Sequence, residues 1–83
     1  MVMPRYFLDI RDNEGLHQDV EGAEFSDLEA AKLEARRALA DMAKDAIRKS
    51  DHTSIAVEIR DEAHRPELVV IAMSSVIRSE SGP

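Results

Sequence analysis

The chain has 83 residues and a mass of 9.3 kDa, enough for one small domain and too short for two independent cores. Its 17 acidic and 11 basic residues give a net charge of −6, which argues against phosphate-driven nucleic-acid binding, while the lack of cysteine excludes disulfides, thiolate metal sites and a Cys nucleophile. No apolar run reaches the ~18–20 residues that cross a bilayer, and Met1-Val2-Met3-Pro4-Arg5 lacks the basic-then-apolar order of a signal peptide, so a cytoplasmic location is expected.

Residues 5–11 alternate Tyr6, Leu8 and Ile10 against Arg5, Phe7, Asp9 and Arg11, the two-residue period of a half-buried strand. Asp12-Asn13-Glu14-Gly15 predicts a turn, with Asn13 and Gly15 available for positive φ. A short strand over 16–20 completes a hairpin, and Gly22 breaks the chain before a helix. Ser26-Asp27-Leu28-Glu29 has the form of a capping box: the Ser26 hydroxyl accepts from the Glu29 N–H while Glu29 reaches back to Ser26. Behind it Leu28, Ala31, Ala35, Leu39, Met42 and Ala46 recur at steps of three and four, so the spacing predicts an amphipathic helix over 26–49. Asp27 and Glu29 suit its positive end, and Arg48 and Lys49 its negative end.

After a polar connection at Ser50-Asp51-His52, Ile55, Val57 and Ile59 alternate with Ala56, Glu58 and Arg60 in a third strand. Asp61 through Pro66 turns the chain into a fourth strand over 68–77. Its run Leu68-Val69-Val70-Ile71-Ala72-Met73 is apolar on both faces, so a central or doubly covered position is expected. Residues 1–78 form a single domain on this reading, and 79–83 a disordered C-terminal tail.

The elements assemble as an α+β domain of order β-β-α-β-β, an antiparallel-rich four-stranded sheet with one long helix packed on one face. The other face of the sheet has no cover of its own. Phe7, one side of the last strand (Val69, Ile71, Met73) and the outer helix flank (Leu33, Ala40, Ile47) exceed what one helix buries. These seven residues are the expected interface of a homodimer or with another protein.

Catalytic, cofactor and metal sites find no support in the residues. His17, His52 and His64 stand in three polar contexts apart in sequence, and three glycines at 15, 22 and 82 build no phosphate loop. A calcium loop starting at Asp9 fails because Arg11 fills a ligand slot and Val20 stands where the bidentate Glu belongs. The acidic run Asp19, Glu21, Glu24, Asp27 reads as helix-end charge and solubility. The basic residues of the helix are interleaved with acids, and i, i+4 spacing pairs Arg37 with Asp41 and Asp45 with Lys49, so nucleic acid is not an expected partner. One internal echo remains: Leu8-Asp9-Ile10-Arg11-Asp12 and Val57-Glu58-Ile59-Arg60-Asp61 share a pattern. It reads either as shared hairpin chemistry or as matched loops presenting Arg11 and Arg60.

Met3-Pro4-Arg5-Tyr6-Phe7-Leu8-Asp9-Ile10-Arg11-Asp12, Gly15, the segment Asp19-Val20-Glu21-Gly22-Ala23-Glu24-Phe25-Ser26-Asp27-Leu28-Glu29-Ala30-Ala31 and the later Ile55-Ala56-Val57-Glu58-Ile59-Arg60-Asp61-Glu62 resemble a family of short bacterial proteins of unknown function. These open Met-Pro-Arg-Tyr-Phe-Phe and carry Asp-x-Glu-Gly-x-Glu-Leu-x-Asp before an Ala-rich helix; here Leu8 and Phe25 replace a Phe and a Leu. The resemblance covers nearly the whole chain and implies no activity. A fainter one, to HicB-type antitoxin domains, rests on a Tyr-containing strand and an Asp-x-x-Gly turn before an Ala-rich helix. The Pro-Asp-Leu-Pro-Gly-Cys signature of those domains is missing. That resemblance implies an alternative role, a regulatory domain binding a basic protein partner.

Overall fold

A computed structural model describes residues 3–77; the expected tail at 79–83, and positions 1–2 and 78 of the expected domain, lie outside the described residues. Six elements follow one another: β1 (Arg5–Asp12), β2 (Gly15–His17), β3 (Ala23–Glu24), α1 (Leu28–Lys49), β4 (His52–Arg60) and β5 (Pro66–Ser75). The fold is α+β as expected, with one more strand than the sequence pattern suggests. All pairings are antiparallel, in the order β2-β1-β4-β5, and β3 also pairs with β1. Two residues, Ala23 and Glu24, are too few to show an alternation, so β3 is invisible to a period search.

The helix begins one residue later than a Ser26 cap requires. Asp27, in extended conformation, is the N-cap, and its carboxylate accepts the Ala30 N–H at 2.8 Å. Glu29 pairs with Lys32 at 2.7 Å. Asp is as good a cap as Ser, and the two adjacent candidates differ only in which one the backbone leaves extended. At the other end Ser50 donates its N–H to the Ala46 carbonyl, and Arg48 and Lys49 lie in the last turn.

The core is small. Ala31, Ala35 and Leu39 of α1 meet Ile55, Val57 and Ile59 of the central strand β4, and Ala43 is buried further along the helix. Alanine at the contact lets the helix lie close to the sheet, and it also limits how much apolar area the contact removes from water. Tyr6, Leu8 and Ile10 of β1 and Leu68, Val70 and Ala72 of β5 pack around the edges.

The expectation that the last strand is central or doubly covered is corrected. β5 lies at the edge of the sheet and packs against β4 and α1 alone among the described residues. Its even-numbered residues face the helix, while Val69, Ile71 and Met73 stand on the open face, 49, 58 and 78% exposed. Apolar character on both faces therefore does not mark enclosure within one chain.

Candidate interaction surface

The open face of the sheet divides into a polar clasp and an apolar margin. Antiparallel register sets Asp9 of β1 opposite Glu58 of β4 and Phe7 opposite Arg60. The two segments of the internal echo are thus neighbours in space, and each arginine takes the other segment's acid. Arg60 pairs with Asp9 through Nε and through Nη2 at 3.0 Å, and Arg11 reaches Glu58 at 3.0 Å. Neither arginine is a free loop residue, which corrects the idea of two presented Arg turns.

The two pairs differ in burial. Asp9 is buried and the Arg60 side chain is only 15% exposed, whereas Arg11 is 57% exposed. Arg60 gains further partners: it donates to the Asp19 carbonyl at 3.1 Å and to His64 Nδ1 at 2.7 Å, and its guanidinium lies 4.8 Å above the Phe7 ring. His64 adopts φ 62 and approaches the same ring at 5.7 Å. Phe7 is therefore occupied by its own chain, unlike the other six expected interface residues.

Asp19 completes the clasp. Its N–H donates to Asp9 at 2.9 Å, and its carboxylate accepts the N–H groups of Leu8 and Gly22 at 3.1 and 3.0 Å. The position of Leu8 explains the first of these. Between the end of β2 and the start of β3 the chain leaves the edge of β1, and the Leu8 N–H there has no strand to pair with. The Asp19 side chain takes the place of the missing carbonyl. The acidic run 19–27 is thus divided among separate tasks: Asp19 seals a strand edge, Glu24 pairs with Arg5 at 3.4 Å, and Asp27 caps the helix. Among the described residues no group of three metal-ligating side chains forms.

Three carboxyls are held below the usual Asp range. For Asp9 the main cause is the Arg60 hydrogen bond, opposed by burial; for Asp12 it is the Glu14 N–H, and for Asp61 the Arg65 N–H. A carboxyl with a lowered folded pKa stabilises the fold above its unfolded value, near 3.9, and loses that contribution as pH falls through the folded value. Stability is therefore expected to hold at neutral pH and to decline progressively below about pH 4. Thermal midpoints measured from pH 7 to pH 2 check this, and Asp9→Asn should flatten the acid limb. An unchanged limb would show that Asp9 is not a source of it.

The remaining expected interface residues lie on the molecular surface. Leu33 and Ile47, each about half exposed, and the exposed Ala40 form a stripe along the outer helix flank at seven-residue intervals. A cleft of about 360 Å3 runs along the other side of the helix, where Asp45 and Met42 face the β1–β2 turn at Asp12, Asn13 and Glu14. Of the two i, i+4 pairs expected on the helix, Asp45–Lys49 forms at 2.9 Å; Arg37–Asp41 is not an ion pair among the described residues. His17, His52 and His64 are all exposed, and only His64 enters the clasp.

The clasp residues were missed as a group by sequence reasoning, although the echo and the Asp-x-Glu-Gly segment were the signals that carry it. Residues 5–74 match a family model described as Domain of unknown function (DUF6894). No curated protein and no solved structure matches the chain.

Proposed function

The chain belongs to this family of unknown function, and on that premise we propose that it is a small, non-enzymatic protein-interaction module that forms a homodimer. The observation behind this is the apolar surface that the fold leaves uncovered: Val69, Ile71 and Met73 on the margin of the sheet, and Leu33, Ala40 and Ile47 along the helix. With Ile59 and Val57 the only large, fully buried side chains among the described residues, the isolated chain also has little core to spare, and association adds to it. The polar cluster of Asp9, Asp19 and Arg60 spends its donors and acceptors on itself and on backbone groups, which suits a structural clasp better than a reaction centre.

Sedimentation equilibrium from low micromolar to millimolar concentration tests the proposal. The mass is expected to rise from 9.3 kDa towards twice that value. A mass that stays at 9.3 kDa throughout would remove the homodimer.

A second reading is an antitoxin-like regulatory domain of the HicB type that docks a basic protein. It is favoured by the net charge of −6 and by Asp12, Glu14 and Asp45 around the cleft beside α1. It requires a basic partner that is captured at low salt and released at high salt; binding to no basic protein at low salt would exclude it.

A further inference from the structure

Resting on the homodimer proposed above, we propose its geometry: two copies join their sheets edge to edge through β5, and their helices pack antiparallel through the Leu33, Ala40, Ile47 flank.

The two edges of the sheet are treated differently. On the β1 side, β2 and β3 pair with the strand and the Asp19 carboxylate closes the gap between them. On the β5 side, no element covers the edge among the described residues. The hydrogen-bonding register tells which groups this leaves free. Val76 donates its N–H to the Asp51 carbonyl, and the pairs Thr53–Ser74, Ile55–Ala72 and Val57–Val70 follow at two-residue steps along the same ladder. In an antiparallel ladder these are the hydrogen-bonded pairs, so the N–H and C=O groups of Val69, Ile71, Met73 and Ser75 point away from β4. Such a row is a template for another strand. The usual guards lie only at the start of β5, where Pro66 and a register shift sit; residues 68–77 contain no charged side chain at all.

The helix adds the second half of the contact. It lies over β4 and β5 more than over β1. Asp45 and Met42 border the cleft at the β1–β2 turn and so mark the flank toward β1. At 100° per residue, Leu33, Ala40 and Ile47 fall on the opposite flank, toward the free edge of β5. The two uncovered apolar surfaces therefore adjoin the same edge.

One two-fold axis satisfies both. With the strands centred on Ile71, Val69 lies against the partner subunit's Met73, and Glu67 lies opposite a serine rather than another carboxylate. With the helices centred on Ala40, Leu33 meets the partner subunit's Ile47, and the small side chain on the axis allows close approach. Ile71 and Ala40 are near the middle of their elements, as a shared axis requires. A second copy is the favoured occupant of the strand edge because residues 68–77 carry no charged side chain, so their self-pairing brings no like charges together there in a chain of net charge −6, and the same segment offers a basic partner nothing to attract it. A stable dimer covers roughly 800 Å2 on each partner, and the strand margin and the helix flank together supply apolar side chains for it.

The chain lacks cysteine, so single-cysteine variants report the geometry directly. Sedimentation equilibrium of the unmodified chain comes first; a strict monomer would remove the homodimer reading and this inference with it. If the chain dimerises, Ala40→Cys is expected to form a disulfide-linked dimer on mild oxidation, while Val20→Cys, exposed on the far side of the sheet, stays unlinked. Ile71→Pro removes an outward N–H and none of the β4 ladder, so it should give a folded monomer by mass and circular dichroism. A dimer that survives Ile71→Pro, or one that links through Val20→Cys and not through Ala40→Cys, would overturn this geometry and leave the homodimer standing. Should Ile71→Pro fail to fold, the cysteine pair alone decides.

Discussion

Replacing Asp9 by Ala is expected to lower the unfolding free energy by about 3–5 kcal/mol. The Arg60 guanidinium would remain largely buried with two of its donors deprived of their carboxylate, and the Asp19 N–H would lose its acceptor. A domain of this length is stable by roughly 4–12 kcal/mol at 0.05–0.15 kcal/mol per residue, so much of the margin disappears. The other half of the echo supplies the control. Glu58→Ala breaks an exposed pair with Arg11 and should cost below about 1 kcal/mol. Urea unfolding followed by circular dichroism measures both. In the double variant Asp9→Ala/Arg60→Ala the loss should be smaller than the sum of the single losses, because the second substitution removes the stranded charge. Equal losses for Asp9→Ala and Glu58→Ala would show that burial does not separate the two pairs.

Local periodicity was enough to read α1 and the interior-facing residues of β1 and β4, because each alternation or turn is contained within its own segment. Ile55, Val57 and Ile59 are buried as their spacing requires, and Tyr6 and Phe7 face opposite sides of the sheet. Strand order was not legible, since β1 pairs with β4 across the whole helix and no local pattern records which strand is the neighbour. The echo shows the boundary between the two kinds of information. The repeated acid-Ile-Arg could be read from the sequence, but its meaning depends on the register that sets Asp9 opposite Glu58. Had β1 and β4 not been neighbours, the same residues would have been ordinary surface. Asp19 was illegible for a related reason: its role follows from a gap in the β1 edge, and that gap exists only because β2 ends at His17 and β3 begins at Ala23.

The same loop yields the second large effect, at a position without a side chain. Gly22→Ala is expected to destabilise the domain by about 2–4 kcal/mol, combining the left-handed backbone with overpacking. Gly22 has φ +69, and a Cβ built on it would stand 2.9 Å from both the Tyr6 carbonyl oxygen and the edge of the Phe7 ring. Neither neighbour has room to yield: Tyr6 pairs with Ala23 in the short β3 ladder, and the Phe7 ring lies under Arg60. Gly15→Ala lacks the second of these contributions. Its φ of +127 is also unfavourable for an L side chain, yet nothing lies within 4 Å of the added carbon, so it should cost only the backbone strain. Urea unfolding measures both variants; a loss at Gly22→Ala no larger than the roughly 1–2 kcal/mol of left-handed strain would mean that Phe7 moves aside freely. A ring displaced from Gly22 would also disturb the guanidinium above it. Adding Asp9→Ala to Gly22→Ala should then cost less than Asp9→Ala alone, the coupling expected of two residues that hold one clasp. Strict additivity would separate the glycine turn from the ion pair and reduce the Asp-x-Glu-Gly segment to two independent local devices.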